Sequence, residues 1–165
     1  QTFLELERRL AAMLQAGDSR GQDAADSLQL ELASAQERLG QALHELRDFG
    51  AAAEAYARCV ASYERLGDRE SLPNALIGLA NALEKAGKPI AAVCAAYARA
   101  VELAPGLRDK LVGYDYMEVS LREAKCFEQA DGVLREFKGL ARAHVTACAR
   151  QRRGGSGGPA RELPP

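Results

Sequence analysis

Apolar residues recur at helical spacing along almost the whole chain, and glycine, proline or aspartate interrupts them at intervals. Apolar positions at i, i+3, i+4 and i+7 are typical of an amphipathic helix. The pattern predicts seven helices, over residues 2–16, 23–47, 49–66, 71–86, 90–104, 107–125 and 127–150. Ser71 stands where an N-cap is expected. The stripe predicted to face the core on the second helix consists of Leu28, Leu32, Ala35, Leu39 and Leu43.

The composition favours an all-α protein of one domain. Hydrophobic residues make up 47% of the 165 positions, yet only 5% are aromatic. The abundant Ala, Leu, Arg and Glu lose little conformational freedom on entering a helix. We expect the helical domain to span residues 1–150 and a basic tail rich in Gly and Pro to follow over 151–165. Two interpretations of the tail are open: a solvated end, or a segment that lies extended in a groove of this chain or of a neighbour.

Charge and hydropathy narrow the range of partners. The 22 Lys and Arg residues nearly balance the 23 Asp and Glu residues, so the chain has no general electrostatic attraction to nucleic acid or anionic lipid. No segment has the uninterrupted apolar length of a membrane span. We therefore expect a protein or peptide partner, with neither nucleic acid nor a membrane span.

The residues that usually carry catalysis or bind metals are sparse. Cys59, Cys94, Cys126 and Cys148 form no CxxC pair and no zinc-type cluster. We expect them to be reduced core thiols in a reducing, cytoplasmic compartment. We expect neither His44 nor His144 to have a cysteine or carboxylate at ligand spacing. The sequence thus predicts a non-catalytic protein with no metal and no cofactor.

The chain also repeats itself. Residues 37–60 and 77–101 correspond almost throughout, with one residue inserted at the turn of the second copy, and a weaker third copy covers 116–137. Leu43 matches Leu83, and Cys59 matches Ala100. The copies lie some 37 to 41 residues apart. Periods of this length indicate stacked pairs of helices.

The repeating unit resembles a tetratricopeptide repeat (TPR). The residues of the first copy that match the family's pattern are Leu39, Gly40, Leu43, Ala52, Tyr56 and Cys59. Those of the second copy are Leu79, Ala80, Leu83, Val93, Tyr97 and Ala100, and Pro105 closes it. The spacing is longer than the family's usual period of about 34 residues. It is similar to the longer variety found in scaffolds of the LGN/Pins type, rapsyn and kinesin light chains.

This resemblance, which covers about residues 23–150, implies an α-solenoid. We expect about three TPR-like helix pairs preceded by one extra N-terminal helix. Alanine and glycine at the helix crossings would let the helices approach closely, and the large residue opposite would fill the remaining gap. Tyr56 and Tyr97 are accordingly expected in the core.

The resemblance also implies a binding groove. In peptide-binding members the residue after the Leu-Gly pair often points into the concave surface, and it is often Asn. Here that position holds Asn81, with Gln41 in the first copy and Val119 in the third. A side-chain amide offers the donor and acceptor that a peptide backbone requires. The alternative is that Asn81 bonds a carbonyl of its own or a neighbouring helix.

The other residues expected in the groove lie on the same helix faces as these positions. They are Ser34, Glu37, Arg38, His44, Glu45, Asn74, Ile77, Gly78, Glu84, Lys85, Asp115, Tyr116, Arg122 and Glu123. The set carries charges of both signs and does not reproduce the Lys and Asn clamp with which the family's chaperone-binding members hold a terminal carboxylate. A ligand of mixed charge is therefore expected.

The sequence predicts a TPR-type scaffold or adaptor that binds a peptide or a helical segment of a partner. Two alternatives are open. One is a fixed structural subunit of a large multiprotein assembly. The other is the sensor or regulatory domain of a larger protein, since the chain begins with Gln1 and not with Met.

Overall fold

The computed structural model describes the backbone of residues 5, 8 and 19–154 and the side chains of residues 5, 8 and 25–150. This part of the chain contains six helices and no strand. The helices are α1 (Ser19–Glu45), α2 (Phe49–Leu66), α3 (Leu72–Lys85), α4 (Ile90–Leu103), α5 (Leu107–Glu123) and α6 (Phe127–Gly154). The prediction of an all-α fold is confirmed. Apart from residues 5 and 8, the helix predicted over 2–16 lies outside the described residues, as does the tail from residue 155 onward.

The helices pack in chain order, as in an α-solenoid. Each described helix packs against the next one, and α1 also touches α3. The predicted helix boundaries agree closely in the middle of the chain, where α2 has the predicted bounds. They differ more at the two ends. There α1 begins at Ser19, and α6 runs to Gly154, past the predicted end of the helical domain at residue 150.

Three turns of the same geometry show how the repeats correspond. Arg47, Gly87 and Lys125 have φ values of 62°, 68° and 60°. Such left-handed residues end helices, because the next N–H then bonds a carbonyl of the last helical turn. These bonds run from Asp48 to Leu43 (2.9 Å), from Lys88 to Leu83 (3.0 Å) and from Cys126 to Leu121 (2.8 Å). The turns thus place α1, α3 and α5 in residue-by-residue register, 40 and then 38 positions apart.

A tyrosine held between two glycines fixes the first step of the stack. A Cβ atom placed on Gly40 of α1 would lie 2.9 Å from Cδ2 of Tyr56, and one on Gly78 of α3 would lie 2.5 Å from Cε1 of the same ring. The Tyr56 ring, on α2, therefore contacts the backbones of both neighbouring helices. The predicted packing of Tyr56 against small residues is confirmed. The sequence places Gly78 in the groove. In the structure, however, a side chain at this position would point at the Tyr56 ring.

The second step repeats this arrangement with larger side chains. Tyr97 of α4 is fully buried, as predicted, in a cluster with Ala80 of α3 and Met117 of α5. Tyr116, which stands at the position equivalent to Gly78, stacks on Tyr97 with ring centroids 6.0 Å apart. A glycine is again needed nearby, because a Cβ on Gly113 would lie 2.5 Å from Cγ2 of Val101.

One local prediction is wrong and another is confirmed only in part. Leu28 and Leu32 are buried, but Leu39 of the same predicted stripe is exposed, since among the described helices nothing precedes α1 in the stack. Ser71 is the N-cap residue of α3, as predicted, but its side chain makes no capping hydrogen bond. The turn before α3 is held instead by Asp68, whose Oδ1 accepts from the backbone N–H of Ser71 at 3.1 Å.

Gly78→Ala tests the contact between α3 and Tyr56. The added methyl group would collide with the ring, and overpacking of this kind typically costs about 1–3 kcal/mol. We expect the free energy of unfolding, measured by urea denaturation, to fall by this amount. Gly132→Ala in α6 is the matched control, because a Cβ there meets nothing within 4 Å. It should raise stability by about 0.5–1 kcal/mol. Equal effects of the two substitutions would contradict the packing described here.

Candidate functional site on the face of α1, α3 and α5

Gln41 of α1, Asn81 of α3 and Val119 of α5 occupy equivalent positions in the repeats. We call the surface around these three positions the odd-helix face. Gln41 and Val119 are exposed, and Asn81 is half-buried. The residues that the sequence placed at the predicted groove position therefore all have solvent access, and their chemistry changes from polar on α1 to apolar on α5.

Asn81 is bound to the neighbouring helix. The Tyr97 hydroxyl donates to Asn81 Oδ1 at a distance of 2.6 Å. Burial raises the pKa of Tyr97 to about 12, although a hydrogen bond with Ser120 opposes the rise. Its hydroxyl therefore stays protonated and able to donate at neutral pH. The Asn81 carbonyl oxygen thus serves the contact between α3 and α4, while the half-buried side chain still reaches the surface. The bonding partner is a hydroxyl of the adjacent helix and not the carbonyl considered from the sequence.

Exposed apolar side chains form a row on α5. Val112, Tyr116 and Val119 are 41%, 43% and 46% exposed, respectively. Their i, i+4 and i+7 spacing places them on one side of the helix. Since Tyr116 stacks on Tyr97, the row continues into the Asn81 contact. We call these three residues the α5 row.

A cavity of about 780 Å³ lies between the first turns of α5 and the middle of α6. It is lined by Leu111, Val112 and Tyr116 of α5, together with Phe137 and His144 of α6. Arg108 and Asp115 bring one charge of each sign to its edge. The cavity therefore extends the α5 row with a recess large enough for bulky apolar side chains.

On α1 the predicted groove residues are partly used inside the protein. Glu37 Oε2 accepts a hydrogen bond of 3.0 Å from the Tyr63 hydroxyl. The His44 ring lies edge-on to Phe49, with centroids 5.1 Å apart, and His44 Nε2 is buried without a hydrogen-bond partner. These contacts tie α1 to α2. The predicted groove residues that are exposed on this helix are Arg38, Gln41 and Glu45.

The remaining predicted groove residues on α3 and α5 differ in exposure. Asn74 and Lys85 are exposed, Glu84 is half-buried, and Ile77 is half-buried against the core. Arg122 pairs with Glu118 one turn earlier and with Asp131 of α6 at 3.1 Å. Arg122 is therefore already engaged by two carboxylates and is not a free cation for a ligand.

The apolar character of the α5 end of this face does not follow from the sequence pattern. The pattern places Tyr116 in the groove, but not Val112 or the cavity residues Phe137 and His144. The spacing of Val112, Tyr116 and Val119 is visible in the sequence. Its exposure is not, because the same spacing describes a buried helix face equally well.

The expectation for Cys59 agrees with the structure, but the expectation for His144 does not. Cys59 is buried in the core, and burial raises its pKa to about 12, so it is an unreactive core thiol as predicted. Cys148, in contrast, is only half-buried on α6. Its Sγ lies 3.4 Å from Nε2 of His144, four residues earlier. The expectation that His144 has no nearby cysteine is therefore wrong.

Metal-binding and membrane-spanning features are absent from the described part of the chain. No three His, Cys, Asp or Glu side chains there lie together in a way that could hold a metal ion. None of the described helices combines the length and apolar character that crossing a bilayer requires.

Comparison with known proteins gives no assignment. No protein-family model, no curated protein and no solved structure matches this chain. The candidate site therefore depends on its own geometry: the Asn81–Tyr97 contact, the α5 row and the adjoining cavity.

The hydrogen bond between Asn81 and Tyr97 can be measured by a double-mutant cycle. We expect Asn81→Ala and Tyr97→Phe each to lower the free energy of unfolding by about 0.5–1.5 kcal/mol. The double variant should lose less than the sum of the single losses, because either substitution already removes the shared bond. Denaturant titrations of the four proteins give the coupling energy. Strictly additive losses would show that Asn81 and Tyr97 do not interact.

Stability should also fall at alkaline pH. Burial raises the pKa of Tyr63 and Tyr97 from 10.0, and that of Cys59 from 9.0, to about 12. The folded chain then keeps protons that the unfolded chain releases, so the free energy of unfolding decreases as pH rises from about 9 toward about 12. Urea titrations at about pH 7 and about pH 11 should show the loss, and Tyr63→Phe should reduce it. The same stability at both pH values would refute the raised pKa values.

Proposed function

We propose that the protein is a non-catalytic interaction module of the TPR kind, which binds a peptide or helical segment of a partner on the odd-helix face. The observation that carries the proposal is the α5 row, in which three large apolar side chains stand in line and exposed. Contiguous exposed apolar side chains on a soluble protein mark interaction sites, because water contact with them is unfavourable. The repeat architecture supports the same conclusion, since stacked helix pairs present long continuous surfaces.

The α5 row and its cavity favour an amphipathic ligand. Apolar side chains at i, i+4 and i+7 form a stripe along α5, and an amphipathic helix of a partner can pack its own apolar side against such a stripe. Full burial of a Val or Leu side chain contributes about 1.5–3 kcal/mol, so two or three such contacts suffice for moderate affinity. The charges at the edges, Arg108 and Asp115 around the cavity and Glu84 and Lys85 on α3, suit a ligand that carries both signs.

Asn81 has a narrower role in this proposal than the sequence suggested. Its carbonyl oxygen accepts from Tyr97, so the amide nitrogen is the part of the side chain that can donate to a ligand carbonyl. We place the module in the cytoplasm, where reducing conditions suit cysteines that remain free. There it would act as a scaffold or adaptor within a multiprotein complex.

The test uses the full chain and a library of random peptides. Peptides selected on the immobilised protein are titrated by calorimetry against the parent, Val119→Lys and Val145→Lys. Both valines are exposed, but Val119 belongs to the α5 row and Val145 lies on α6. Val119→Lys should weaken binding tenfold or more, the effect of losing about 1.4 kcal/mol or more, and Val145→Lys should leave it unchanged. Peptides that bind both variants as tightly as the parent would place the site elsewhere.

A further inference from the structure

The first described helix carries an apolar stripe whose counterparts are covered elsewhere in the stack. The α1 stripe consists of Ala35, Leu39 and Ala42. Its equivalents are Ala75, Leu79 and Ala82 on α3, and Gly113, Met117 and Ser120 on α5. On α3 these residues pack against α2, with Ala75 and Ala82 fully buried. On α1, Leu39 is 42% exposed and Ala42 is exposed as well.

The last described helix has the opposite surface open. The α6 surface consists of Phe127, Val133, Leu134 and Phe137. Its equivalents are Phe49, Ala55, Tyr56 and Cys59 on α2 and Ile90, Ala96, Tyr97 and Ala100 on α4. Of these, Tyr56 and Cys59 cluster with residues of α3, and Ile90, Ala96 and Tyr97 cluster with Met117 and Leu121 of α5. On α6 none of the four is fully buried, and Phe127 is 54% exposed. The cavity beside Phe137 opens at this same end.

We therefore expect the α1 stripe and the α6 surface to fit together, because their equivalents pack on each other inside the chain. Wherever both are present in the chain, a helix bearing the first stripe packs on a pair bearing the second surface: α3 on α1–α2 and α5 on α3–α4. The α1 stripe lacks a described pair before it, and the α6 surface lacks a described helix after it.

The charges at the two ends also match. Gly40 and Gly78 face each other across the Tyr56 ring. The position equivalent to Gly40 on α5 is Glu118, and the position equivalent to Gly78 on α1 is Arg38. If the α1 stripe of one copy packed on the α6 surface of another, Arg38 and Glu118 would meet across Leu134. Glu118 is half-buried and its known partner, Arg122, comes from its own helix, so its other side can accept Arg38.

We propose that copies of this chain stack head to tail, with the α1 stripe of one copy on the α6 surface of the next. The second copy continues the solenoid as α3 and α5 do within one chain. Because the two surfaces differ, the contact is heterologous and the association does not close at a dimer unless the rotation brings the ends together. This proposal does not depend on peptide binding to the odd-helix face.

Variants with a glutamate on one of the two surfaces test this proposal directly. Sedimentation velocity of the full chain should show association that grows with concentration over roughly 1 µM to 1 mM, the range of weak to moderate affinity. Leu39→Glu blocks one end and Phe127→Glu the other, and both residues are exposed, so folding should be preserved. Each variant alone should be monomeric. An equimolar mixture should form a 1:1 dimer and nothing larger, because only one pair of ends remains intact.

A charge exchange tests the register independently. Arg38→Glu alone and Glu118→Arg alone should each weaken association. The chain that carries both substitutions should regain it, because the pair is restored with its signs reversed. A urea titration of each variant serves as the control for folding.

Three results would overturn the proposal. The first is a parent chain that stays monomeric throughout the concentration range. The second is a dimer formed by Leu39→Glu alone or by Phe127→Glu alone, which would indicate a two-fold interface between identical surfaces. The third is a monomer in which Leu39→Glu markedly lowers stability, which would show that residues of the same chain cover the α1 stripe. None of these results would affect peptide titrations on Val119→Lys, so the two proposals fail separately.

Discussion

The contact of the Tyr56 ring with two glycine backbones determines how closely the first three helices approach. A Cβ atom would lie 2.9 Å from the ring at Gly40 and 2.5 Å from it at Gly78, so neither position has room for a side chain. Close approach of α1 and α3 to the same ring then brings their outer faces into one continuous surface. The odd-helix face exists because a large side chain on α2 is matched by the two smallest residues on its neighbours.

The same constraint is satisfied differently at the next step. Tyr97 lies between Ala80 and Tyr116, so an alanine and a stacked aromatic ring replace the two glycines. Tyr116 covers Tyr97 with one face of its ring and is still 43% exposed, in line with Val112 and Val119. Variation at a single repeat position, Gly78 in one copy and Tyr116 in the next, thus converts a packing position into part of an exposed apolar row.

Much of this fold could be predicted from residue patterns. The repeat period and the turn residues predict the bounds of α2 to α5 to within two residues. The match between Tyr56 and Tyr97 predicts two aromatic core residues, because equivalent helix crossings must be filled by side chains of similar size. The prediction that Leu39 faces the core is wrong, because helical spacing identifies an apolar stripe but does not show whether another helix covers it. The partner of Asn81 could not be found either. Its contact with Tyr97 spans 16 residues and depends on the angle between α3 and α4, which no local pattern encodes.

The order of packing has a consequence for how the chain acquires its structure. Apart from the contact between α1 and α3, the helices that pack substantially are neighbours in sequence. Contacts of such short range are reached quickly, since little chain entropy is lost in closing the intervening loop. On a ribosome each helix pair can therefore settle against the previous one as soon as it emerges, without waiting for residues still to be synthesised. In the finished protein the same locality lets the last pair open while the first remains intact, so hydrogen exchange should proceed repeat by repeat.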